Sequence, residues 1–130
     1  KLVIVSYTVT YNESGYIVLI GEGSATLKEL REAIINGSPL VKERNCFRVL
    51  SDFRNLKLGL SIIDIFSIPA LQAALSREFD TPLRLFRRAV LVPEQDYDKY
   101  KFFENVAVNR SHNVRVFISE ERAISWLLQK

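Results

Sequence analysis

Residues 2–11 predict a strand: after the apolar run Leu2-Val3-Ile4-Val5, polar and apolar residues alternate from Ser6, which puts Tyr7, Val9 and Tyr11 on one face. Asn12-Glu13-Ser14-Gly15 follows as a hairpin turn, Gly15 supplying the positive φ, and residues 16–20 read as the return strand. At Thr26 the period changes. Leu27, Leu30 and Ile34 recur at helical spacing, and Thr26 and Glu29 stand in capping-box positions. Asn36-Gly37-Ser38-Pro39 reads as the stop of that helix.

The pattern then repeats. Residues 46–53 have a nearly continuous apolar centre, which suits a strand buried on both faces. Ser61 and Asp64 form a second capping box, opening a helix that runs to about Arg77. Pro69 lies inside it, so a kink or a break into two pieces is expected. Residues 86–92 predict a strand closed by Pro93, residues 96–109 a helix with Tyr100, Phe103 and Ala107 facing in, and residues 113–117 a last strand. Ser119 caps a final helix that packs through Ala123, Trp126 and Leu127. A strand–cap–helix unit thus recurs four times after a hairpin, which predicts an α/β fold with a mainly parallel sheet, in one domain spanning residues 1–130. Ligands of such sheets sit beyond the carboxyl ends of the strands, where the caps lie.

Composition narrows the partners. At 48% hydrophobic and 25% charged residues the chain can bury one real core. A net charge of +3 is too mild to imply nucleic acid, and no aromatic residues are spaced among the basic ones for base stacking. The single cysteine, Cys46, cannot form an internal disulfide and fits a cytoplasmic setting. No apolar run reaches the length of a membrane span, and Lys1-Leu2-Val3-Ile4-Val5 is too short for a signal peptide.

Candidate chemistry is sparse. Cys46 and His112 both fall where strands begin, while Asp52 and the caps fall where strands end, at the opposite edge of a parallel sheet. No spacing joins nucleophile, base and stabiliser, so no catalytic residue is assigned and no enzyme is expected. The lone His has no neighbour at metal-ligand spacing, and Gly21-Glu22-Gly23 lacks the third glycine of a dinucleotide fingerprint, so neither metal nor cofactor is expected. Asp52, Arg54, Asn55 and Ser61 are the candidate polar residues of the crevice, Asp52 with a structural reading as the partner of Arg54. Lys42, Arg44, Arg77, Arg84, Arg87 and Arg88 gather before strands and read as a solvated basic rim. One segment departs from the usual pattern. From Ile62 to Leu75 almost no polar face remains, and a chain this small has few elements to cover it on both sides. Ile62, Ile63, Phe66 and Leu71 are therefore the candidate interface, with self-association or binding of a partner as the expected use.

The order of elements, together with Gly21-Glu22-Gly23, the Thr26 helix start, Leu50-Ser51-Asp52-Phe53-Arg54, Ala89-Val90-Leu91-Val92, Val114-Arg115-Val116-Phe117 and Ala123-Ile124-Ser125-Trp126-Leu127, resembles the SpoIIAA-like proteins, small bacterial relatives of the STAS and CRAL-TRIO (Sec14-type) domains. The resemblance implies a five-stranded, mostly parallel sheet with an antiparallel first strand and four main helices. It also implies kinship with anti-sigma-factor antagonists, which are switched by phosphorylation of a serine where the second helix begins. Ser61 stands in that place, but the Asp-Ser-Ser-Gly-like stretch around it is missing, and Asp64 would repel a phosphate there. An N-cap is the preferred role for Ser61. The expected function is a non-catalytic, regulatory, homodimeric module of the bacterial cytoplasm that works through contact with a protein partner. The alternative is a small apolar-ligand or lipid-binding protein of Sec14-like type, which needs a cavity of roughly several hundred Å3.

Overall fold

Ser6, Thr8 and Thr10 are exposed, while Tyr7 and Val9 pack into the core, so the alternation seen in the sequence decides which side of the first strand faces inward. The computed structural model of the chain describes residues 5–130. The start of the expected first strand, residues 2–4, and the signal-peptide reading made on it lie outside the described residues. β1 (Val5–Asn12) and β2 (Tyr16–Ala25) pair antiparallel through a turn in which Gly15 has φ 106° and its N–H donates to the Asn12 carbonyl at 2.9 Å. Then follow α1 (Leu27–Arg44), β3 (Arg48–Leu58), α2 (Ile62–Glu78), β4 (Arg87–Leu91), α3 (Tyr97–Val108), β5 (Val114–Phe117) and α4 (Glu120–Leu127).

The sheet has five strands in the order β1-β2-β3-β4-β5; β2 to β5 are mutually parallel and β1 is antiparallel, as the resemblance implies. Each parallel strand is added on the same side of the last, and crossovers of one hand then fall on one face. α1, α2 and α3 accordingly share a face, closing the main core around Ala33, Phe53, Ile65, Ile68, Val90 and Phe103. The other face carries α4 alone, through Leu50, Ala89, Leu91, Ala123 and Leu127.

Four expectations on element bounds need correction. The return strand does not end at residue 20; β2 runs to Ala25. α1 does not stop at Asn36-Gly37-Ser38-Pro39; it continues to Arg44 with Pro39 inside. The Ser38 hydroxyl donates to the Ile34 carbonyl at 2.9 Å, and Val41, buried beyond the proline, holds the last turns on the core. The left-handed cap is Asn45, φ 48°. α2 is likewise one helix through the buried Pro69, not two pieces. β3 does not close at Phe53 but runs on to Leu58, because β2 is long enough to pair with it as far as Ala25. Between Ile20↔Asp52 and Glu22↔Asn55 the register slips by one residue, a bulge that restores the inward direction for Leu56 and Leu58.

Candidate functional site

α2 starts on a complete capping box. The Asp64 N–H donates to Ser61 Oγ at 3.1 Å, and the Ser61 N–H donates to Asp64 Oδ2 at 3.0 Å. From there Ile65, Ile68, Pro69, Gln72, Leu75 and Ser76 form the buried stripe at helical spacing. The opposite stripe is also apolar. Ile62 is 65% exposed, Ile63 79% and Phe66 44%, with Ala70 and Ala74 continuing the line. Phe66 meets Phe102 of α3 edge-to-face, ring centres 5.7 Å apart, and Phe102 is itself partly exposed. Leu71 is half-buried at the margin of this stripe and apart from the three exposed side chains. A contiguous apolar patch of this kind marks a contact surface more often than an ordinary helix exterior.

The crevice residues do not form one site. Asp52 and Arg54 pair through a bidentate fork, Arg54 Nε to Asp52 Oδ1 at 3.0 Å and Nη2 to Oδ2 at 2.8 Å. That pairing, more than the partial burial opposing it, holds the Asp52 carboxyl below its usual range. Arg54 also reaches toward Glu120 at the start of α4, 3.6 Å away. Asn55 lies on the exposed side of the β3 bulge opposite Glu22, and Ser61 hydrogen-bonds only within its own capping box. Asp52 and Arg54 are therefore brought together on the α4 side, whereas Ser61 heads a helix on the other face.

Of the basic rim, Lys42, Arg44, Arg77 and Arg84 are exposed, while Arg87 and Arg88 are half-buried. Arg44 stacks over Tyr11, Arg88 over Phe86, and Arg87 over Trp126 while its Nη1 takes the Trp126 and Gln129 carbonyls at the end of α4. These cations are used to pack aromatic rings and close a helix. Cys46 Sγ donates weakly to the Gly15 and Arg48 carbonyls, and His112 precedes β5, with β4 lying between the two in the sheet. Among the described residues no group of three His, Cys, Asp or Glu side chains is placed to hold a metal. Among the described residues no helix is long and apolar enough to cross a membrane.

Neither the family models nor the curated proteins contain a match to this chain. Solved structures do match over nearly its whole length. An anti-sigma factor antagonist from Mycobacterium paratuberculosis superposes with a TM-score of 0.61 at 9% identity, over 97% of this chain and 96% of that one. An uncharacterised DUF3478-family protein from Shewanella loihica, described as having a SpoIIAA-like fold, gives 0.54 at 17% identity, over 98% and 96%. The anti-sigma factor antagonist SpoIIAA in its unphosphorylated form gives 0.55 at 15% identity, over 94% and 96%. The chain has the SpoIIAA-like fold. Identities this low carry the fold and not the activity of any one neighbour.

Within the SpoIIAA-like fold several residues matter that the sequence reading passed over. Phe102 completes the outward patch; in the sequence it is one more apolar residue beside the inward Phe103. Glu104 is a buried carboxylate that accepts the Val116 N–H at 2.7 Å and pairs with Lys101, tying α3 to β5. Gln72 and Arg88 line an unfilled space between α2 and the sheet. Burial alone lowers Arg88 to about 10, which leaves it charged at neutral pH. A glutamine at a core position of an otherwise apolar helix is the signal that was available for that space.

Proposed function

We propose that this chain is a non-catalytic, regulatory module of the bacterial cytoplasm that works through protein–protein contact, and that it forms a homodimer through the outward face of α2. The observation that carries the reading is the exposure of Ile62, Ile63 and Phe66 on a helix that already buries Ile65, Ile68 and Leu75 on its other face. Leu71 borders the contact from its half-buried position. Two of the structurally similar proteins are anti-sigma factor antagonists, names that describe action on another protein, and this supports a regulatory contact for the present chain. Ser61 serves as the cap that fixes where the patch begins.

The test is light scattering on a size-exclusion peak, for the wild-type chain and for Ile63→Asp with Phe66→Asp. The wild type should run with the mass of two chains, and the double variant with that of one at unchanged far-UV circular dichroism. A wild-type monomer at every concentration, or a dimer that survives both changes, would sink the proposal.

The ligand-binding alternative draws on the space behind α2. Its volume, about 120 Å3, is below the roughly 300–1,000 Å3 of a drug-sized pocket, so an acyl lipid does not fit it and a small molecule does.

A further inference from the structure

α2 and the sheet do not close completely on one another. They leave a cavity of about 120 Å3 walled mainly by apolar side chains, among them Leu19, Phe53, Ile68, Leu75 and Val90. An apolar cavity of about 150 Å3 admits benzene, so this one suits a molecule of about six to eight non-hydrogen atoms.

Ser38, Ser51, Ser76, Thr81 and Tyr100 interrupt the apolar wall, and Gln72, Arg88 and Lys99 bring longer polar side chains to it. Gln72 is 9% exposed, and its Oε1 is buried without a hydrogen-bond partner. An unpaired buried acceptor costs stability and is rare in a native core, so it calls for a donor. Arg88 leaves the sheet on the same side as Val90 and lies over Phe86, 4.1 Å from the ring centre. Among the described residues no carboxylate comes within 4.0 Å of it. The cavity is lined by Arg88 and Lys99 and by no Asp or Glu. Lys99 is already engaged, its Nζ donating to the Leu58 carbonyl at 2.8 Å. The uncompensated charge is therefore that of Arg88, whose planar fork matches a carboxylate.

We propose that the cavity is a binding site for a small apolar hydroxy acid, its carboxylate held by Arg88, its hydroxyl donating to Gln72 Oε1 and its branched hydrocarbon against Ile68 and Leu75. Each part of the ligand answers one unmet requirement of the wall: the charge, the acceptor, and the apolar volume. The site lies behind the buried face of α2 and the proposed dimer contact on its exposed face, so either can fail without the other.

The test is an amide NMR titration of the full chain with three probes of one carbon skeleton: 2-hydroxyisovalerate, isovalerate, which lacks the hydroxyl, and 3-methyl-1,2-butanediol, which lacks the charge. The hydroxy acid should bind about tenfold more tightly than either of the others, with shifts centred on Gln72 and Arg88. Gln72→Leu should bring its affinity down to that of isovalerate, and Arg88→Met down to that of the diol. Equal binding of all three probes, no shift with any of them at about 10 mM, or shifts confined to Ile62, Ile63 and Phe66 would overturn the proposal. Preferential binding of palmitate in a fourth titration would overturn it too, assigning the space to a lipid tail instead. The ranking of probes on the wild-type chain decides the matter even where a variant fails to fold.

Discussion

α2 and α4 both cover the sheet, but they differ in how completely their sequences are accounted for by that task. α4 buries Ala123 and Leu127, turns Glu120, Glu121, Arg122 and Ser125 to the solvent, and fills its site against Leu50 and Leu91. Every residue type fits its position. α2 buries Ile65, Ile68 and Leu75 but departs from the pattern on each side. It turns Ile62, Ile63 and Phe66 outward and buries Gln72 Oε1 without a partner beside a cavity. Rules of patterning are broken where a protein has another use for the residues. The contrast is what the two proposals rest on: a contact on the outer face of α2 and a small ligand on the inner one.

The comparison can be broken by mutation. The largest effect belongs to α4. Leu127→Ala, at a site with 0% exposure, should cost about 2–5 kcal/mol in chemical denaturation. The same truncation on the outer face of α2, Ile63→Ala, should leave the stability of the isolated monomer within about 0.5 kcal/mol while weakening association. A large loss of monomer stability from Ile63→Ala would show that its side chain is packed after all.

An intermediate effect of opposite sign is expected on the inner face. Gln72→Leu replaces an unpaired buried amide with hydrocarbon and should stabilise the ligand-free chain by about 1–3 kcal/mol. A clear destabilisation, measured as a lower denaturant midpoint at unchanged slope, would mean that the amide has a structural partner and would remove the contrast with α4.

The smallest effect concerns pH at the basic end of the inner face. Burial, with Arg88 and Arg110 nearby, holds His112 below its ordinary value of 6.5. The unfolded chain therefore takes up the proton first as pH falls. The stability linked to this group is intact above about 6.5 and is lost progressively from there down toward the lower folded value. His112→Gln should flatten that part of the profile. The check is the denaturation midpoint of both proteins at about pH 7.5 and about pH 5.5, and equal slopes would contradict the assignment.

Much of the fold was legible because it depends on periodicity and caps. The alternation of Tyr7, Val9 and Tyr11, the Ser61–Asp64 box and the Ser119 cap are local signals, and each specifies an element that the structure contains. The misplaced bounds came from reading proline and glycine as stops. Pro39 and Pro69 sit inside helices held down by tertiary burial of Val41, Ile68 and Leu75, which no local rule reports. The extension of β3 past Phe53 was visible in the alternation Leu56-Lys57-Leu58, but the bulge that sets its phase depends on pairing with β2. For the site, the sequence marked the apolar excess of α2 without saying which residues faced out, because that needs the sheet to be in place. Of the cavity, only Gln72 in an apolar stretch left a sign in the sequence. The cavity arises between residues far apart in the chain, Gln72 on α2 and Arg88 on β4.

The most direct test of the outer-face claim is hydrogen exchange across a dilution series, which reports association and its location together. Dilution through dissociation should speed exchange over the first turns of α2 and around Phe102, and leave α4 unchanged. Exchange at residues 62–66 that is independent of concentration, or a change confined to α4, would contradict the account.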